Sequence, residues 1–247
     1  MLKESVKSAI RVLSPPLIRH LPIAAWPGWL GRTLEVRVPQ SVIPKGVADP
    51  TGPANINIMI EMIERTRSLS GAIAECGVYK AASTLGMALY MRQRGIRKQI
   101  YAFDSFEGFE PESVARDLEL GGAPEEDRRP HGFGDCTLDE VNAKIRRLRI
   151  DNITVVPGYF KHSFKTLPDG LIFSFVHLDV DLYESYRESL EFFYPKLEGG
   201  GVILLDEYND PPWPGCNKAV DEFLVDKPER LEMICRENYQ KWYLVKR

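Results

Sequence analysis

Acidic side chains follow two neighbouring apolar segments of this sequence. The stretch FVHLDVDLYESYRESLEFF, residues 175–193, places Asp179 and Asp181 at the end of an apolar run, and Asp206 and Glu207 follow the next run, GVILL. If these runs are parallel strands, their carboxyl ends meet at one edge of a sheet. Carboxylates gathered there repel one another unless cations or hydroxyl donors offset their charge. The pattern is typical of a metal or catalytic site.

Three of these carboxylates, Asp179, Asp206 and Glu207, suit a hard divalent cation such as Mg²⁺, which prefers oxygen ligands in octahedral geometry. His177 lies inside the apolar run, which favours a hydrogen-bonded core histidine over a metal ligand. Asp181 stands three residues before Glu184, in the spacing of a capping box. Two roles therefore stay open for Asp181, and we expect a helix cap first and a general base second.

A third apolar run, GAIAECGV at residues 71–78, includes Glu75 and Gly77 near its end, where glycine lets the backbone pass close to a ligand. The dinucleotide fingerprint G-x-G-x-x-G is absent, because Gly77 is followed only by alanines and Ser83. Asp104, ending the next run, can accept hydrogen bonds from a ribose diol; an ordinary turn cap is the alternative. The segment predicts a nucleoside without a pyrophosphate, such as S-adenosylmethionine, rather than NAD.

The composition excludes several classes of protein. The chain has 247 residues, 44% hydrophobic and 27% charged, with a net charge of -3, which fits a globular α/β domain and argues against nucleic-acid or membrane-surface partners. Its four cysteines are widely spaced without a CxxC pair, so we expect reduced thiols in a cytoplasmic protein. No apolar run is long enough for a transmembrane helix, and the N-terminus lacks a signal-peptide pattern.

Short apolar runs alternate with helical periodicity from about residue 70 onward. This alternation predicts a Rossmann-like, mostly parallel, seven-stranded sheet with helices on both faces and an antiparallel C-terminal edge strand. TLDEVNAKIRRLRI opens with Thr137 and Glu140 in capping-box spacing, which predicts a helix start there. Residues 107–135 show no periodicity and carry many acids, prolines and glycines, which is typical of a functional lid or of a disordered segment, and we expect a lid.

The first part of the chain has a different composition and pattern. Residues 1–54 combine an amphipathic start, LKESVKSAIRVL, with a proline-rich stretch, so we expect an irregular and helical N-terminal arm before a domain at 55–247. The first helix is predicted to dock on a partner subunit, making a homodimer, rather than to anchor the chain on a membrane surface.

Five segments together resemble the macrocin-type O-methyltransferases (TylF/MycF-like), a family within the class I S-adenosylmethionine-dependent methyltransferases. They are AECGVYKAAST, YAFDSFEGF, PGYFKHSFKTLP, HLDVDLYESYRESLEFFYPKLEGGGVILLDEYND and PGCNKAVDEF. They occur in the family's order across about residues 55–245, and the long fourth segment is highly specific. The resemblance implies a Mg²⁺-dependent transfer of a methyl group from S-adenosylmethionine to a sugar hydroxyl of a natural product.

The resemblance also implies roles for individual residues. The donor-binding residues would be Glu75 and Gly77 at the methionine end, Ser83 at its carboxylate, Asp104 at the ribose, and Gly158 and Tyr159 near the adenine. Asp179, Asp206 and Glu207 would hold the metal, which would bind a vicinal diol and lower its hydroxyl pKa. Asp179 or Asp181 would accept the proton as general base.

The sequence departs from the family pattern at three places. KAAS, ending at Ser83, replaces a glycine-rich segment, His162 replaces a common acid, and Glu207 has a longer arm than the usual aspartate. Two other readings stay open: a non-catalytic relative that binds S-adenosylmethionine, and a methyltransferase acting on a surface glycan, a lipid-linked sugar or a phenol. A nicotinamide oxidoreductase is disfavoured because the glycine fingerprint is missing.

Overall fold

The computed structural model describes residues 55–122, 133–236 and 239–247. The strands found in these ranges form one sheet. They are β1 (Ala72–Cys76), β2 (Ile100–Asp104), β3 (Ile153–Pro157), β4 (Phe173–Leu178), β5 (Leu197–Leu205), β6 (Glu232–Arg236) and β7 (Tyr239–Val245).

Helices connect the strands and cover both faces of the sheet. They are α1 (Asn55–Arg65), α2 (Ala82–Arg94), α3 (Pro111–Glu119), α4 (Leu138–Leu148), α5 (Phe160–Ser163), α6 (Tyr183–Phe193) and α7 (Pro214–Leu224), with single 3₁₀ turns at Phe164–Thr166 and Tyr194–Lys196. Among the helices of the described ranges, none is long and apolar enough to cross a membrane.

The sheet has the order β3-β2-β1-β4-β5-β7-β6, with β1 to β5 parallel. The predicted antiparallel C-terminal strand is present as β7, which pairs with both β5 and β6. It lies inside the sheet, so β6 forms that edge. The order reverses between β1 and β4, and ligands of open parallel sheets bind beside such a reversal, at the carboxyl ends of the strands. We call that side the carboxyl edge.

Alternating residues of the central strands supply two separate cores. Ile73 and Phe175 pack with α1, α2 and α4 on one face, whereas Ala74 and Val176 pack with α6 and α7 on the other. β1 and β4 are buried along their whole length. Continuous apolar runs in the sequence are therefore strands that have helices on both faces.

One helix was not expected from the sequence pattern. The segment 107–135 lacks periodicity, yet Pro111–Glu119 forms α3, with Pro111 in the first turn, where a missing N–H costs nothing. Its buried residues are Ser113, Val114 and Asp117, two of them polar, and its other large apolar residue, Leu118, is exposed, so the apolar signal in the sequence is weak. The predictions for the N-terminal arm and for residues 123–132 lie outside the described residues.

Candidate active site

Backbone strain concentrates at the carboxyl edge. Tyr79 after β1, Phe106 after β2, Asp181 after β4 and Asn209 after β5 all have left-handed backbones, with φ of 48°, 57°, 58° and 63°. Such conformations are costly for residues other than glycine and cluster where a site requires a particular loop shape. The loops after four strands that are neighbours in the sheet share this property, which indicates that this edge is the functional side of the sheet.

A cavity opens among these loops. Its walls come from the ends of β1 to β4, from the start of α3 and from α6. The lining residues are Gly77, Tyr79, Asp104, Ser105, Gly108, Phe109, Glu110, Ser113, Phe133, Gly158, Tyr159, Phe160, Asp179, Val180, Asp181, Ser185 and Glu188.

Gly77 and Asp179 make the floor of this cavity. The Asp179 amide donates to the Cys76 carbonyl at 3.0 Å, which draws the ends of β1 and β4 together. Gly77 has φ +82°, and a Cβ added there would lie 1.6 Å from the Asp179 carbonyl oxygen. Any side chain would push the two strand ends apart, so this close approach requires glycine.

Glu75 and Ser83 lie beneath the cavity and do not line it. The Glu75 carboxylate is fully buried and accepts hydrogen bonds from the Ser83 hydroxyl at 2.6 Å and from the Thr84 hydroxyl. Its Oε1 is also 3.3 Å from Nδ1 of His177. Glu75 therefore joins the first turn of α2 to β4, and it acts on the loop above by holding this helix start in place.

Asp104, Gly158 and Tyr159 meet on one side of the cavity. The Asp104 carboxylate accepts the Tyr79 amide at 2.7 Å and the Phe106 amide at 2.8 Å. Burial raises the pKa of Asp104 while these amides oppose the rise. The Gly158 amide donates to the Asp104 carbonyl at 2.9 Å, so the loops after β2 and β3 are joined here.

Three carboxylates crowd together near the end of β4. Ligand atoms of Asp179, Asp181 and Glu207 lie within 4.8 Å of one another, and we call these residues the acid cluster. Burial and then the charge of Asp206 raise the pKa of Asp179 to about 6. Burial and the neighbouring carboxylates raise the pKa of Asp181 and Glu207 well above their ordinary values. The positive charges and hydrogen-bond donors around the acid cluster do not fully compensate its negative charge.

Asp206 differs because it has two positively charged neighbours. The Lys241 ammonium donates to the Asp206 carboxylate at 2.6 Å, and Nε2 of His177 lies 3.3 Å from its other oxygen. Burial raises the pKa of Asp206, but His177 and Lys241 more than offset this, so the pKa is lowered overall. Lys241 was missed by sequence reasoning, because it lies on β7, 35 residues away, with no motif around it.

His177 is held between two carboxylates, as expected for a hydrogen-bonded core histidine. It is fully buried, with Glu75 at Nδ1 and Asp206 at Nε2. Burial lowers its pKa, but the hydrogen bonds to these two carboxylates raise the pKa to about 9. Its ligand atom also falls within 4.8 Å of Asp179 and Asp206, although both ring nitrogens already have partners.

The prediction that Asp181 caps the following helix is wrong. The N-cap of α6 is Leu182, and no side chain of the N-cap residue bonds the first turn. The Tyr183 amide donates instead to Oδ2 of Asp117, on α3, at 2.6 Å. The left-handed backbone of Asp181 is not the extended conformation of a capping residue, and its side chain lines the cavity instead.

Aromatic residues from the segment 107–135 add to the cavity wall without having been singled out in the sequence. Phe109 contacts Phe133 with ring centroids 5.5 Å apart, and Phe133 contacts Tyr79 at 5.4 Å. Glu110, which lines the cavity, forms an ion pair with Lys161. The concentration of phenylalanines near 106–109 was the one available signal.

Comparison with known proteins gives a consistent result. A family model described as Macrocin-O-methyltransferase (TylF) matches residues 50–234. A tetracenomycin-type rhamnosyl 4'-O-methyltransferase of Streptomyces olivaceus is 31% identical over 161 residues, 62% of this chain and 58% of that protein. The demethyldecarbamoylnovobiocin O-methyltransferase of Streptomyces niveus is 28% identical over 69% of each protein. The chain thus spans less than two thirds of the length of the first relative.

Solved structures show the same fold. The O-methyltransferase NovP matches with a TM-score of 0.68 at 21% identity, over 96% of this chain and 99% of NovP. The calicheamicin methyltransferase CalS11 matches with a TM-score of 0.61 at 20% identity, over 77% of this chain and 78% of CalS11. Both similarities show that this chain has the same fold as these two proteins.

Proposed function

The chain belongs to the macrocin-O-methyltransferase (TylF) family, and from that premise we propose that it transfers a methyl group from S-adenosylmethionine to a sugar hydroxyl. The acceptor class is a small glycoside made in natural-product biosynthesis, as the names of the relatives suggest. The observation that carries the proposal is the position of the acid cluster, which meets the cavity directly beside the glycine contact between Gly77 and Asp179.

The donor would occupy the side of the cavity formed by the loops after β1, β2 and β3. Because Gly77 has no side chain, its backbone would be accessible to the methionine end of S-adenosylmethionine. Asp104 uses each carboxylate oxygen for one backbone amide, which leaves lone pairs for a ribose diol. Gly158 and Tyr159 would border the adenine. Glu75 and Ser83 would support this site from below, because they are bonded to each other and not to the cavity.

The carboxylates fit a divalent cation by their chemistry. Asp179, Asp206 and Glu207 would hold Mg²⁺, although their ligand atoms do not form one group within 4.8 Å: Asp179 groups with Asp206 on one side and with Glu207 on the other. Burial and then neighbouring carboxylates raise the pKa of Asp179 and Glu207, and a cation would offset that negative charge. When bound, the cation would supply a Lewis acid that lowers the pKa of the acceptor hydroxyl. Oε2 of Glu207 accepts the Tyr186 hydroxyl at 2.5 Å, which orients that carboxylate at the cluster.

Asp181 is the better candidate for the general base. It does not cap α6, it lines the cavity, and its surroundings raise its pKa. A carboxylate whose pKa is raised toward neutrality accepts a proton more readily than an ordinary one. Asp179 is adjacent to it in the acid cluster and would orient the acceptor.

A second candidate is methyl transfer without a metal. The observation that favours it is the pairing of Lys241 and His177 with Asp206, because two protein cations already compensate one of the three proposed ligands. In that case the same donor and acceptor sites would serve, and Asp181 would remove the proton unaided.

Calorimetry and a methyl-transfer assay test these proposals together. We expect S-adenosylmethionine to bind and NAD not to bind, and a panel of neutral glycosides with labelled donor to reveal an acceptor. Loss of transfer after chelation, with recovery on adding Mg²⁺, supports the metal-dependent form; unchanged transfer supports the metal-free form. Binding of the donor with no transfer to glycosides, lipid-linked sugars or phenols would favour a non-catalytic relative. Tight NAD binding without donor binding would end the methyltransferase proposal.

Assembly as a homo-oligomer and a cytoplasmic location stay predictions of the sequence. Light scattering on the full chain measures the first, and cell fractionation the second.

A further inference from the structure

The start of α6 is capped from a distant part of the chain. Asp117, on α3, is fully buried, and its Oδ2 accepts the amide of Tyr183 at 2.6 Å. These two residues are 66 positions apart in the sequence. The amides of a first helical turn have no partner within the helix, so a buried helix start requires an acceptor from elsewhere.

The same carboxylate lies against a second helix start. A Cβ added to Gly215, in the first turn of α7, would fall 2.3 Å from Oδ1 of Asp117 and 3.0 Å from Cβ of Tyr183. Asp117 is therefore enclosed between the N-terminal turns of α6 and α7. Carboxylates are stabilised at such positions by the positive ends of helix dipoles.

The helix that carries Asp117 also forms a wall of the cavity. Glu110 and Ser113, at its N-terminal end, line the cavity together with Asp181. Arg116 lies over the ring of Tyr183, with its guanidinium carbon 5.9 Å from the centroid. The contact at Asp117 thus joins one cavity wall to the loop that ends β4.

We propose that Asp117 is a positioning residue for the methyl transfer: by capping α6 from α3 it leaves the Asp181 carboxylate free to face the cavity. This inference rests on the proposed function. The spacing of Asp181 and Glu184 is that of a capping box, so the chain contains a local alternative to the observed cap. Without Asp117, the Tyr183 amide becomes a buried donor with no acceptor, which is costly, and Asp181 is the nearest carboxylate in sequence that can satisfy it.

The test compares two substitutions of similar shape. Asp117→Asn keeps an oxygen that accepts the Tyr183 amide, whereas Asp117→Leu has none. The matched control is Glu229→Leu, because Glu229 is also buried and accepts a backbone amide, that of Arg247 at 3.0 Å, outside the cavity lining. Each full-length variant is assayed with S-adenosylmethionine, MgCl₂ and methyl α-L-rhamnoside, or the panel glycoside with the fastest turnover. The donor Kd and the hydrogen exchange of the Tyr183 amide are measured alongside.

We expect Asp117→Leu to lower kcat by about 100-fold, because small displacements of reacting groups have effects of this size. The donor Kd should change by less than about threefold, since the donor side is not touched. Asp117→Asn should recover most of kcat, and Glu229→Leu should lower stability without lowering kcat. In Asp117→Leu the Tyr183 amide should stay protected from hydrogen exchange, because Asp181 takes over the cap.

Three results would overturn the inference: a wild-type kcat in Asp117→Leu, equal losses in kcat for Asp117→Leu and Glu229→Leu, or no recovery in Asp117→Asn. If Asp117→Leu does not fold, Gly215→Ala replaces it, because its methyl group displaces the Asp117 carboxylate without removing it. An inactive wild-type chain overturns the proposed function and this inference with it. An active wild type with an unimpaired Asp117→Leu overturns this inference alone.

Discussion

Helices α4 and α6 begin in opposite ways. α4 starts with a complete capping box, in which Thr137 accepts the Glu140 amide at 3.3 Å and Glu140 accepts the Thr137 amide at 2.8 Å. α6 follows the similar spacing of Asp181 and Glu184, yet its first amide bonds Asp117. Local capping rules hold where a helix start has only a structural role. They fail at α6, where Asp181 lines the cavity and does not cap the helix.

The largest effect should come from the acid cluster at the start of α6. Asp179→Asn removes one charge without changing shape, so turnover should fall below detection while the fold is kept. The assay is methyl transfer at saturating donor, with circular dichroism as the control for folding. Normal turnover in this variant would remove Asp179 from both the metal site and the chemistry.

Asp181→Asn separates the two roles that the sequence left open. General bases contribute about 10²–10⁴-fold, so kcat should fall by that range. Because Asp181 does not cap α6, the melting temperature should not drop, and loss of one charge from the crowded cluster favours the folded state. A stable variant with normal kcat would return the role of base to Asp179. Because Asn caps a helix as well as Asp, the capping role is tested with Asp181→Ala, in which a marked loss of stability would mean that Asp181 caps α6 after all.

The pH dependence of stability should have opposite signs in the two regions. In the folded chain the pKa of Asp179 is about 6, above its ordinary 3.8, so the folded state binds the proton more tightly than the unfolded state. The resulting contribution to the free energy of unfolding is complete below pH 3.8 and is lost as the pH rises through 6. The free energy of unfolding falls by no more than about 3 kcal/mol through this titration. Glu140 has a lowered pKa, because the Thr137 amide bonds its carboxylate, and it stabilises the chain only above its unfolded pKa.

Denaturant unfolding between pH 4 and pH 7 measures this difference. Metal-free protein should lose stability over the range, and Asp179→Asn should flatten the slope. Mg²⁺ should restore stability near pH 7 if the carboxylates bind it. A slope that Asp179→Asn leaves unchanged would assign the pH dependence to other groups.

The smallest effect should come from the cap of α4. Thr137→Ala removes the capping box and should cost about 1 kcal/mol of unfolding free energy. The kcat should stay at the wild-type value, because α4 lies on the opposite face of the sheet from α6. A drop in kcat would show that the two helix starts are not as independent as their contacts indicate.

Several site residues were placed well by sequence because they end strands. Asp104, Gly158, Tyr159, Asp179 and Asp181 all reach one cavity, since parallel strands bring their carboxyl ends to one edge. Glu75 is also near the end of a strand, but the alternation of side chains turns it beneath the loop toward Ser83 and Thr84. Strand position alone therefore predicted the edge, and side-chain direction decided which residues face the cavity.

The sequence by itself determined most of the strands and helices, the mostly parallel character of the sheet, and the edge where the acids gather. These follow from local periodicity and from strand ends. Only the tertiary structure decided that Lys241 neutralises Asp206 and that Asp117 replaces Asp181 as the cap of α6. Both decisions depend on contacts between residues 35 and 66 positions apart, and no local pattern encodes which distant donor or acceptor folding brings to a buried group.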